Sequence, residues 1–325
     1  MRAFRRSDWM PVVQWAAIGG VAGAAAWLLG RPAAPGVRSG SGPLTPTNQC
    51  GPEPPSESGA ARLLSAPTAC TSSFPENLAQ RNAYILDKVS KGDFHVDWVP
   101  VKSSANGHTA TFWVTGDALK VDGVRVNADA ITEQKIADAI GAMLLTPKLA
   151  DLIFQQADIR LLPMPRPITS SSLAMADQSM KIDQAIISKV GSLDAARDKL
   201  VSTVGKHWVV TNELGKAGPS KAQNYGWHFV GVMAGVPNEN AVSGVTDPAT
   251  GKAIKVIQGP WMAHGPTHTD YSQNVVLVSK TAEVDGRRMT MADVLSSPEL
   301  APLASHQGVV RTLRQPGVPE APGVA

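Results

Sequence analysis

Residues 94–126 and 207–280 form two blocks of short runs in which apolar and polar side chains tend to alternate, and the block between them repeats apolar residues at helical spacing. This order of strands, helices, strands constrains the fold more than any other feature, because it lacks the regular alternation that builds a parallel sheet. In the first block FHVDWVPV, TATFWVT and ALKVDGVRV read as antiparallel strands, the last carrying Asp122-Gly123, a tight-hairpin dipeptide. In the second, HWVVTNEL, HFVGVMAG, IKVIQG and NVVLVSK read the same way. The expected class is α+β, an antiparallel or mixed sheet with helices packed on one side.

The helical block carries its own punctuation. PENLAQRNAYILDKVSKG precedes the first strands, with Pro75 in its first turn and Gly92 at its end. TEQKIADAIGAMLL spaces Ile136, Ile140, Met143 and Leu144 along one helical face, and Thr146-Pro147 supplies a cap and a first-turn proline for KLADLIFQQAD. After the break LLPMPRP, further helices are expected at SMKIDQAIISKV and SLDAARDKLVSTV, with a short one around TMADVLSSPELAPLA. GVPNENAVSGVTDPATGK reads as a long polar loop, a rim or lid.

Outside this body, of residues 74–318, the composition changes. Residues 1–9 are short and basic, and 10–29, MPVVQWAAIGGVAGAAAWLL, hold no charge and match the roughly 20 residues a helix needs to cross a bilayer. We read that span as an uncleaved anchor in contact with lipid, with Gly19, Gly20 and Gly23 hinting at a homo-oligomer. Arg2, Arg5 and Arg6 before the span, against Arg31 and Arg38 after it, favour a cytoplasmic N-terminus and an extracytoplasmic body. Residues 30–73 are a Pro, Ser and Gly-rich linker in which Cys50 and Cys70, the only cysteines, are expected to form a disulfide. Residues 319–325 are expected to be a flexible tail. A formal charge of +3, dispersed over 325 residues, gives no nucleic-acid groove.

The residues that point to chemistry lie in KAQNYGWHF and AHGPTHTDYSQ. His228, His264, His268 and Asp270 have the inventory of a zinc site, which needs three such ligands and an open position for water, with Glu213 or Glu239 as candidate base. Without metal, Ser272 would be the nucleophile, His228 or His268 the base and Asp270 its orienter. Asn224, Tyr225, Trp227, Trp261 and Tyr271 flank these groups and are candidate substrate contacts. Ser305-His306 reads as structural, since adjacent side chains rarely face each other. The reading that results is a membrane-anchored extracytoplasmic hydrolase, with or without a metal, of the peptidase or amidase kind, acting on a peptide or amide bond of a cell-wall peptide or glycan polymer. The alternative is a non-catalytic envelope or virion-type structural or binding protein.

Overall fold

The computed structural model describes residues 37–40, 75, 77–166, 172–202, 204–233 and 242–320. The apolar span 10–29 and both cysteines lie outside these residues, and among those described no helix is long and apolar enough to cross a membrane.

The first described element is α1 (Leu78–Lys91), whose N-cap is Asn77, two residues inside the expected proline start, and whose end is Gly92 at φ 79°. Strands β1 (Trp98–Ala105) and β2 (His108–Thr115) pair antiparallel in full register, Trp98 opposite Thr115 and Ala105 opposite His108. The Asp122-Gly123 turn joins β3 (Lys120–Val121) to β4 (Val124–Arg125), both central residues at positive φ as a tight hairpin requires. Helix α2 (Ala130–Ile140) is shorter than expected. Gly141, at φ 76°, caps it, and Met143 and Leu144, read as helical, belong to strand β5 (Ala142–Leu144). Their apolar spacing suits a strand buried on both faces as well as a helix, so only the glycine decides.

Helix α3 (Pro147–Gln156) starts as expected, with Thr146 Oγ1 accepting from Leu149 N–H. Strand β6 (Ile159–Arg160) follows, then α4 (Ser172–Val190). The helix expected over 192–204 is instead a single 3-10 turn, Asp194–Ala196, and strand β7 (Val201–Ser202), parallel to β6. Strand β8 (Lys206–Trp208) is short, because Thr211 caps α5 (Asn212–Ala217) within HWVVTNEL. The remaining elements are β9 (Asn224–Val230), β10 (Val242–Thr246), β11 (Ala253–Trp261), β12 (Leu277–Val284), β13 (Arg287–Thr290) and α6 (Met291–Ser296). Strand β10 lies inside the segment read as a polar loop.

The architecture is α+β, with two larger antiparallel sheets where one was expected, besides the two-stranded pairs β3-β4 and β6-β7. One has the order β1-β2-β12-β13, with β5 also on β12; the other is β10-β11-β9-β8. One apolar cluster runs through both, joining Phe112, Val114, Leu277 and Val278 of the first sheet to Trp208, Tyr225 and Val256 of the second. Helix α3 packs against β1 of the first sheet and against β9 and β10 of the second, which fixes one face of the helix between them. A segment assigned to the linker, and the C-terminal end of the body, are docked on the core. Arg38 donates its backbone N–H to Ile140 O at 3.0 Å, satisfying a carbonyl at the end of α2, and Gln315 is buried with its N–H on Gln134 Oε1.

A carboxylate-centred histidine site

Asp151 is the centre of the site. It lies on the buried face of α3 among Leu149, Leu152, Ile153 and Phe154, and is itself fully buried. A lone carboxylate there would be costly, so it must be hydrogen-bonded. Three side chains do this: Tyr225 Oη donates to Oδ1 at 2.7 Å, His228 Nε2 lies 2.8 Å from the same oxygen, and His306 Nε2 lies 2.8 Å from Oδ2. Burial alone would raise the carboxyl's pKa, but the bonds from His228 and His306 hold it below the ordinary aspartate value. Burial and the neighbouring Asp151 charge together push the Tyr225 phenol far up, so it remains a donor.

Tyr225 and His228 are three residues apart on one strand, and in a regular strand they would point to opposite faces. The backbone between them is irregular. Gly226 has φ 139° and Trp227 φ 58°, a left-handed conformation that costs a non-glycine residue roughly 1–2 kcal/mol. This kink shifts the alternation by one residue and brings both side chains to one carboxylate. Trp227 is held by packing, with Lys206 Nζ 5.5 Å from its ring centroid and the Tyr271 ring at 6.1 Å. His228 is stacked on Phe154 at 5.4 Å and is sealed from solvent.

His306 is the one histidine bonded to Asp151 that reaches the surface, its side chain 33% exposed. Gly244 of β10 allows it to sit there, since a Cβ at that position would come 2.1 Å from His306 Cε1. The two residues stand where two clefts meet. One, of about 340 Å³, is lined by Pro147, Val210, Tyr225, Pro260 and Val310; the other, of about 530 Å³, by Lys102, Ser104 and Lys148 among others. With Asp151 ionised, His306 donates its Nε2 proton to Oδ2, and in the neutral ring the lone pair is then on Nδ1. Ser305 is not a nucleophile for it, being buried with its Oγ accepting from Gln307 N–H.

The loop of residues 262–276 is built separately. His264 and His268 stack face to face at 3.9 Å with 4° between their planes, and burial first, with nearby positive charge, lowers both pKa values. Asp270 makes an ion pair with Lys206, not with a histidine, and its N–H goes to Gln273 Oε1. Ser272 is fully buried with its Oγ lacking a hydrogen-bond partner among the described residues, so the expected Ser272, His228 and Asp270 triad is not assembled. Asn224 is buried on β9 with both side-chain polar atoms unpartnered among the described residues, whereas Trp261 at the end of β11 is 64% exposed. The four expected metal ligands are thus divided: His228 on Asp151, His264 on His268, Asp270 on Lys206. Among the described residues no group of three or more His, Cys, Asp or Glu side chains is arranged to hold a metal ion. His207 is buried, which lowers its pKa to about 3 and keeps it neutral.

Comparison with protein-family models, curated proteins and solved structures returned no match for the chain.

Proposed function

We propose that the chain is an extracytoplasmic hydrolase, anchored by residues 10–29, that cleaves a peptide or amide bond of a cell-envelope polymer with His306 as its general base. The observation that carries this reading is the Asp151 to His306 hydrogen bond of 2.8 Å with His306 open to the junction of two clefts. A buried carboxylate fixes the imidazole in one tautomer and stabilises the imidazolium that forms when the ring takes a proton. In the reaction, Nδ1 removes a proton from water as its oxygen bonds to the carbonyl carbon. The same proton then passes to the leaving nitrogen as the C–N bond breaks, returning the ring to its starting state. Tyr225 and His228 hold Asp151; His228 is sealed from both clefts, whereas Tyr225 also lines the smaller one.

A metal-assisted version, with zinc on His264 and His268, would require the two rings to leave their stack, since ligation needs both nitrogens about 2.0–2.1 Å from one ion. The exposed Trp261 favours the rival reading of a non-catalytic envelope or virion-type binding protein.

The test is incubation of the full-length protein with purified cell-wall polymer, measuring newly released amino groups, alongside H306Q. Release by the wild type that falls about 100-fold or more in H306Q is expected. No release, or equal release by both, rejects the proposal.

A further inference from the structure

The two clefts that meet at His306 differ in character. The smaller is walled by Pro147, Val210, Pro260 and Val310, while the larger carries Lys102, Lys148 and Ser104 and no acidic residue on its wall. Lys148 is half-buried on the first turn of α3; burial, against the attraction of Asp151, lowers its pKa, so its ammonium is short of solvent. One of its three protons goes to Pro302 O, which leaves two. Lys102 occupies an exposed position of β1 with no partner for Nζ among the described residues, and Gln156 bonds both its backbone groups, fixing this stretch of strand to α3. Of the carboxylates beneath the cleft, Asp247 is paired with Arg160, and Asp151 has both oxygens engaged.

From this we infer that the larger cleft is a subsite for a carboxylate group of the substrate, held by Lys148 and Lys102, beside the bond presented to His306. The inference rests on the proposed hydrolase reading for its reaction, but the anion site stands on its own chemistry. With Asp247 neutralised by Arg160, two ammoniums against Asp151 leave a balance of +1, which matches a monoanion better than a phosphate dianion. Neither cation is an arginine, whose fork would suit phosphate. The substrate would be a chain with a free carboxylate on one side of the cleaved amide and an uncharged, largely apolar portion on the other.

Binding tests this without turnover. The ring Cε1 proton of His306 in the full-length protein is followed by NMR during titration with N-acetylglycine, with its uncharged counterpart N-acetylglycinamide, and with inorganic phosphate. The expected result is N-acetylglycine binding at least ten-fold tighter than the amide, with that preference lost in K148M and reduced several-fold in K102M. Lys102 is exposed, so K102M is the variant that leaves folding intact if K148M does not. Equal binding of acid and amide, an unchanged preference in K102M and K148M, or tighter binding of phosphate would overturn the assignment. Failure of the cell-wall assay with this preference intact would reject the hydrolase and leave the carboxylate site.

Discussion

Asp151 Oδ2 and His306 Nε2 lie 2.8 Å apart although 155 residues separate them in the chain. The helix that carries Asp151 is fixed between two sheets, and His306 follows the 3-10 turn Ala301–Leu303, whose end is tied to α3 through Thr146 Oγ1 on Ala304 O. The site is therefore positioned by regular structure on one side and by a braced turn on the other.

Removing the charge should be costly. In D151N the amide can still accept on its oxygen, but its NH₂ meets N–H of an imidazole, so one histidine loses its partner. A loss of about 3 kcal/mol in urea unfolding is expected, against about 1 kcal/mol for Y225F, which removes one of three donors. Equal losses would show that Asp151 does not depend on its histidines.

The Trp227 backbone reverses a common ranking. At φ 58°, glycine is free of the strain that alanine keeps. W227A should lose about 3–5 kcal/mol of packing, and W227G about 1 kcal/mol less than W227A. Alanine proving the more stable of the two would remove strain from the account of why Tyr225 and His228 share a carboxylate.

Gly244 can be tested without touching either partner. In G244A the new methyl would stand 2.1 Å from His306 Cε1, so the ring must leave its position. The expected result is a displaced His306 ring signal and loss of any His306-dependent activity, with the His228 bond to Asp151 retained. An unmoved ring would contradict the assigned packing.

His207 and Asp151 both contribute to acid sensitivity. The folded-state pKa of His207 is lowered from 6.5 to about 3, so the unfolded chain takes up the extra proton between these values. Its contribution is full above about pH 6.5 and declines by roughly 1.4 kcal/mol per unit as pH falls. Asp151, also lowered, acts in the same direction but only below the ordinary carboxylate range. Urea unfolding of wild type at pH 7.5 and 5 should differ by about 2 kcal/mol more than that of H207Q. Parallel behaviour of the two proteins would exclude His207 as the source.

Much of the scaffold was legible. Thr146-Pro147 announced α3, and Asp122-Gly123 announced its hairpin, because caps and tight turns are local. Met143 and Leu144 were misassigned because apolar residues buried on every side carry no period, and β10 was missed because Val242–Thr246 is short and set among loop residues. At the site, Tyr225 and His228 were among the candidates, whereas Asp151 was not. The signal for it existed, an aspartate placed amid apolar residues in KLADLIF on what must be a buried face. His306 stands beside Ser305, a neighbour it cannot face, and its partner Asp151 is distant in sequence. Nothing local announces that Trp227 adopts a left-handed backbone, since β-propensity favours tryptophan in regular strands.

The central claim is that Asp151 holds His306 as the Nε2-protonated tautomer with Nδ1 free to take a proton. The most direct measurement is the pair of ring ¹⁵N shifts of His306 at neutral pH in the uniformly labelled full-length protein, assigned by comparison with H306Q. The account predicts a protonated Nε2, a bare Nδ1, and loss of this fixed pattern in D151N. A proton on Nδ1, or tautomer-averaged shifts already present in the wild type, would contradict it.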